Sequence, residues 1–393
     1  MGPRPPAPAV FTRTVVLCVG ITLFVHVVTY LLNTQLPLQI LALGGSHAQI
    51  GWLFAVTTGV AMALRPQVGG WTDRVGARSL MLPGVAVLLL TMVALPFAAT
   101  PGALIALMAG LGIGNALMST TGSIVVANES PPARRGEALS LYYVASSAGV
   151  ATGPVTGFAL TAVGGITLAY AVVIALSVVV AGLVLALRAP ARAPVAVPAF
   201  RRLWSRHAAG ASLALIVITM GHSTVYAFLP LQASAAGLGS AAWFFPLMSG
   251  CTIACRFAFR RASDRVGRAR VLVPALAALA LGNALLALPP TVASLIAGAV
   301  LLGCGNSMLY PTLVALVVDR APVAERGAAI GTLSGAWDVG VFIGAPLIAL
   351  LVETLGFSAG FLASALTTAL GLVTFLAIER SRRRAPMRAA LAE

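Results

Sequence analysis

The chain has 393 residues, of which 59% are hydrophobic and only 9% charged, and its mean hydropathy is +0.98. That is too little charge to cover the surface of a soluble protein of this size. A formal charge of +15 would suggest nucleic acid in a soluble chain, but the placement of that charge along the sequence excludes such a partner.

Twelve apolar stretches fit near 14–36, 47–68, 79–99, 101–127, 138–161, 166–187, 207–231, 240–259, 271–289, 291–318, 328–352 and 357–378. Each is close to the about 20 residues that cross a hydrocarbon core ~30 Å thick. The runs are continuous rather than alternating, which specifies helices and not barrel strands. All 25 basic residues are arginines, and they sit at alternate connections: before span 1, after spans 2, 4, 6, 8 and 10, and in the C-terminal tail. The opposite connections hold a single charge, Glu353. This asymmetry predicts a multi-pass protein with both termini in the cytoplasm. The absence of lysine beside abundant Ala and Arg suggests a GC-rich bacterium, hence its cytoplasmic (inner) membrane.

In chain order, MGPRPPAPA reads as a short disordered arm, since the span after it is too long for a signal core. Span 1 carries His26, with Tyr30 one turn on, and the polar pair Asn33 and Gln35. Imidazole titrates near neutrality, so His26 is a candidate proton carrier; a hydrogen-bonded packing residue is the alternative. Arg65 in span 2 and Arg256 in span 8 stand about two turns inside the membrane boundary. They can snorkel to the aqueous surface or, in a rival reading, draw an anionic substrate to a cavity mouth. Span 4 contributes Asn115, and span 5 contributes Gly149, Gly153, Pro154 and Gly157, residues that let helices approach closely and bend.

The arginine- and proline-rich segment 188–206 separates an N-terminal unit, 1–187, from a C-terminal unit, 207–393. In span 7, His222 and Tyr226 share a face and are candidates to line a substrate path. Asn306 and Tyr310 in span 10 add hydrogen-bonding groups; interhelical bonding is the alternative for Asn115 and Asn306. The four cysteines all lie in apolar spans without carboxylate or histidine company, so no disulfide, metal site or cofactor is expected. Asp338 lies near the middle of span 11, ahead of Gly340 and Gly344. A carboxylate there costs roughly 2.5–3.5 kcal/mol to insert, and usually marks a pathway or a proton site. A static pair with a polar neighbour is its alternative.

A shift of 191 residues superimposes the two units. Arg65 meets Arg256, Asp73-Arg74-Val75-Gly76 meets Asp264-Arg265-Val266-Gly267, and Asn115 meets Asn306. Gly149 and Gly153 meet Gly340 and Gly344, while Ser147 meets Asp338. The expected fold is therefore all-α and integral to the membrane, with twelve transmembrane helices in two pseudo-symmetric six-helix bundles. Parallel repeats of this kind place a substrate site at their interface.

The connection after span 2, Gly69-Gly70-Trp71-Thr72-Asp73-Arg74-Val75-Gly76-Ala77-Arg78, resembles the G-x-x-x-D-R-x-G-R-R signature of the major facilitator superfamily. Residues 260–270 repeat it as RRASDRVGRAR. Ala77 replaces one basic residue of the pattern, and Arg260 stands where the first unit has Gly69. The resemblance implies that Asp73 and its surrounding arginines, Arg74 and Arg78, with Gly76, act as a conformational switch; Arg65 and Arg256 are grouped with them, and the departures make the second copy, Asp264, Arg265 and Gly267, a candidate structural latch. Gly149-xxx-Gly153-Pro154-xx-Gly157 is similar to an element of the superfamily's proton-driven exporters. The arginine that many drug exporters carry in span 4 is absent, as Leu107–Gly112 is uncharged.

These residues point to a secondary active transporter, resembling the bacterial sugar/drug efflux-permease branch. It would export a small organic molecule (drug, sugar, metabolite or metal-chelating compound) in exchange for protons, as a monomer in the lipid bilayer. Proton-coupled nutrient uptake is the alternative, and a membrane sensor or enzyme a more distant one. No paired acids with histidine or metal ligands suggest an enzyme, and without lysine there is no phosphate-binding loop for ATP-driven pumping.

Overall fold

The computed structural model describes residues 12–131, 134–187, 205–259, 266–322 and 325–390. The described elements are helices: α1 (Arg13–Ala42), α2 (His47–Val75), α3 (Ala77–Ala94) with a 3₁₀ turn at Leu95–Phe97, α4 (Pro101–Glu129), α5 (Arg135–Ala186), α6 (Ala209–Thr219), α7 (His222–Ala235), α8 (Phe244–Ala258), α9 (Arg268–Leu286), α10 (Val292–Arg320), α11 (Arg326–Leu355) and α12 (Phe357–Ala390). Ten stretches among the described residues are long and apolar enough to cross a membrane. One of them, Leu141–Ala186, has 46 residues and holds two crossings, because Gly164 and Gly165 leave helical geometry and fold α5 into two limbs. The shorter Phe244–Ala258 completes the set of twelve.

One boundary differs from the sequence reading. Helix α1 continues to Ala42 rather than stopping near residue 36, with Pro37 inside it; a proline removes one backbone hydrogen bond, a loss that membrane helices tolerate. Span 7 is one membrane span, Ala209–Ala235, with its helical hydrogen bonding interrupted between α6 and α7 at Met220–Gly221 while both residues keep near-helical angles. The interruption sits where α11 comes closest, with Gly344 directly against the Met220 backbone.

The glycines explain how the helices nest. A Cβ built on Gly149 would lie 2.6 Å from His26 Cβ, and one on Gly153 would lie 2.8 Å from the Val27 carbonyl oxygen. The first limb of α5 therefore meets α1 backbone to backbone. Gly340 and Gly344 do the same for α11 against the Ile216 and Met220 carbonyls at the α6–α7 break. Gly76 and Gly267 occupy equivalent positive-φ turns, at +83° and +102°, a conformation that glycine adopts without strain. In one bundle α1 packs on α5 and α4, and α4 on α2 and α3; in the other α10 packs on α8 and α9, and α6 on α11 and α12. The bundles meet along α2–α11, α5–α8 and α1–α7.

Candidate functional site

Helices α2 and α11 run antiparallel along the seam between the bundles. At the arginine-poor end, the Ala48 amide at the start of α2 donates to Glu353 Oε2 at 2.6 Å. Further in, a Cβ on Gly51 would lie 2.6 Å from the Ala345 carbonyl oxygen, and one on Gly59 would lie 2.8 Å from the Phe342 ring. Next comes an ion pair, Arg65 Nη1 to Asp338 Oδ2 at 3.0 Å. Beyond it, Gly69 and Gly70 on α2 and Gly331 and Gly335 on α11 have nothing within 4 Å of a built Cβ. Gly331, Gly335, Asp338 and Phe342 share one face of α11 by their three- and four-residue spacing. The seam is thus packed from the arginine-poor end to its middle, and beyond Asp338 these four glycines have open space beside them.

The ion pair itself is loosely tied. The Asp338 side chain is 3% exposed and that of Arg65 28%. Yet neither Asp338 Oδ2 nor Arg65 Nε makes a hydrogen bond, so the separation is that of an ion pair without hydrogen-bond alignment. Arg65 lies within electrostatic reach of His26, Tyr30, Tyr142, Tyr143 and Tyr310, side chains from both bundles.

A second crossing links α8 to the first limb of α5: Arg256 Nη1 donates to Ser147 Oγ at 3.1 Å. The 191-residue shift that takes Arg65 to Arg256 also takes Ser147 to Asp338. The two crossings are therefore the same contact related by the pseudo-twofold. Both geometries depart from simple snorkelling, since each guanidinium reaches across the seam to the other bundle.

The other candidate residues fall into three groups. His222, Tyr226 and Asn306 line a small cavity of ≈ 40 Å³ inside the C-terminal bundle, together with Trp337 and Asn283. Rings connect that cavity to the seam: His222 lies 4.7 Å from Trp337 and 5.4 Å from Tyr226, and Tyr226 meets Tyr30 of the other bundle at 4.9 Å. Tyr310 packs against Trp337 at 5.8 Å and shares a 2.7 Å hydrogen bond with Ser334.

His26 and Asn115 are engaged within the N-terminal bundle. The His26 ring donates from Nδ1 to the Thr22 carbonyl at 2.8 Å and stacks on Tyr30. Asn115 donates to Thr29 Oγ1 at 3.2 Å, and Asn33 is half-buried on α1. Arg74 and Arg78 are exposed at the arginine-rich end; the Asp73 side chain, Asp264 and Arg265 lie outside the described residues. The sequence reading named Ser147 but not its bond to Arg256, and it missed Trp337, Tyr143 and Phe342. The usable signal was that one shift relates both partners of both pairs.

The Major Facilitator Superfamily profile matches residues 18–259 and 211–392. The chain belongs to the major facilitator superfamily. Among its relatives in that superfamily, an uncharacterized MFS-type transporter of Pseudomonas aeruginosa is 33% identical over 175 residues, 44% of this chain and 43% of that protein. The staphylopine export protein of Staphylococcus aureus is 24% identical over 353 residues, 86% of this chain and 89% of that protein. The crystal structure of the nucleoside transporter NupG shares the fold with a TM-score of 0.74 at 15% identity, covering 93% of this chain and 99% of that one. The protein is thus a multi-pass membrane protein of this superfamily, and its match spans less than half the length of the Pseudomonas relative.

Proposed function

We propose that the protein is a proton-coupled exporter of a small organic molecule, working by alternating access of the seam between its two six-helix units, 1–187 and 207–393. The observation that carries this reading is Asp338, a buried carboxylate facing Arg65 across the seam. Charged, Asp338 holds α11 to α2; protonated, it loses the attraction and frees Arg65. Proton uptake then weakens the packed arrangement of the arginine-poor end, and proton release restores it. His26 is a second proton carrier in this scheme, and His222, Tyr226, Asn306, Tyr310, Asn33 and Asn115 line the route of the cargo. The turns at Gly76 and Gly267 carry the signature arginines at the mouth that opens and closes.

The arginine bias supports a cytoplasmic arginine-rich end, which makes the described arrangement open toward the cytoplasm. Export is favoured over uptake because a relative matched over most of both chains is named as an export protein. Metal-chelating metabolites, drugs and sugars are the cargo classes in view, and the bacterial inner membrane is the site of action of a monomer. The test is proteoliposome flux driven by an imposed pH gradient, with cargo identified by metabolite profiling of a deletion strain. Asp338→Asn is expected to lose gradient-driven flux and keep exchange of cargo at equal pH. Full gradient-driven flux in this variant would falsify the coupling role.

A further inference from the structure

The pseudo-twofold gives both seams an arginine but, among the described residues, gives a counter-ion to only one. Opposite Arg65 stands the Asp338 carboxylate at 3.0 Å; opposite Arg256 stands the Ser147 hydroxyl at 3.1 Å. A guanidinium stays charged at any accessible pH. Within a membrane span, such a charge is retained where it meets a partner or a substrate. Among the described residues Arg256 has no carboxylate partner, and its Nε is buried without a hydrogen bond.

The seams also differ in how they are filled. One turn after Asp338, the Phe342 ring packs against Gly59. The residue one turn after Ser147 is Ala151, which supplies no ring, and the counterpart of Gly59 is Gly250. Gly250 is exposed, and a Cβ built on it would meet nothing within 4 Å. The second seam therefore lacks two groups that the first contains, a carboxylate and a flat apolar ring about one helical turn away.

We propose that Arg256, Ser147 and the space beside Gly250 form a binding site for a small organic monoanion, a carboxylate bearing a compact apolar body. The carboxylate takes hydrogen bonds from the Arg256 guanidinium and from the Ser147 hydroxyl, which turns its proton away from the Tyr143 carbonyl it donates to at 2.9 Å, in the place that Asp338 occupies opposite Arg65. The apolar body fills the room that Phe342 fills on the other side. With Arg65 and Asp338 paired, one bound monoanion brings the charge of the two crossings to zero. The site names the substrate class of the transporter and in that respect rests on the reading above; the binding itself does not.

The experiment is thermal unfolding of the full chain in lipid nanodiscs, titrated with benzoate and in parallel with benzamide, its uncharged counterpart, at constant ionic strength. Benzoate is expected to raise the unfolding midpoint in a saturating manner, and benzamide is not. Arg256→Gln should weaken the benzoate response about tenfold or more, with Arg256→Lys restoring part of it. Ser147→Asp should abolish the response by supplying an internal carboxylate, while raising the midpoint of the unliganded protein; this variant keeps the test decisive if Arg256→Gln fails to fold. Equal responses to benzoate and benzamide, or a benzoate response that survives in Ser147→Asp, would overturn the proposal. A benzoate response of the expected pattern without any gradient-driven flux would support this site and overturn only the coupling reading. Gradient-driven flux without benzoate selectivity would do the reverse.

Discussion

The two seams were written by the same repeat and now behave differently. Along α2–α11, side chains of the protein complete the contact: Asp338 answers Arg65, and Phe342 fills the space over Gly59. Along α5–α8, Arg256 meets a hydroxyl and no carboxylate among the described residues, and Gly250 has open space beside it. The repeat supplies a symmetric pair of crossings, one closed by an ion pair and the other by a hydroxyl. A carboxylate in one copy and a serine in the other is the difference on which the proposed site rests.

The largest effect should come from splitting the complete pair. Arg65→Gln leaves a buried carboxylate without its counter-charge and is expected to destabilise the protein by about 3 kcal/mol. Adding Asp338→Asn should recover much of that loss, so a double-mutant cycle in denaturant will show strong coupling; additive effects would mean that the contact is incidental. Next in size is the glycine comparison. Gly59→Val drives a side chain into Phe342 and should cost about 1–3 kcal/mol, whereas Gly250→Val meets open space and should stay within about 0.5 kcal/mol. Equal costs would erase the difference between the seams. The smallest effect belongs to Glu353→Gln, which removes the charge that caps the exposed start of α2. Faster thiol labelling of a cysteine placed at the arginine-poor end is the expected sign, with no measurable change in the unfolding midpoint.

Much of this architecture was legible because the bilayer imposes it. Arginine on alternate connections, apolar runs of spanning length and a 191-residue repeat leave few folds to choose from. Arg65 and Asp338 were also visible singly, as charges where hydrocarbon disfavours them. Their pairing was not, because they lie in opposite units and nothing local marks which helix faces which. The interruption at Met220–Gly221 was hidden for a related reason: a glycine in an apolar run reads as packing, and nothing local marks that Gly344 lies against the Met220 backbone. Pro37 misled in the other direction, since a proline that ends most soluble helices sits inside α1. The cavity residue Trp337 lacked any sequence signal beyond its place next to Asp338.

The central claim is that protonation of Asp338 releases the packed end of the seam. It is tested most directly by spin-label distances measured on the protein in nanodiscs across a pH series. One label pair would sit at the exposed positions Phe97 and Leu288 of the arginine-poor end, and the other at Val75 and Phe257 toward the arginine-rich end. On lowering the pH, the first distance should lengthen and the second shorten, and Asp338→Asn should hold both at their low-pH values throughout. Distances in the wild type that do not move with pH, or that move equally in Asp338→Asn, would contradict the account.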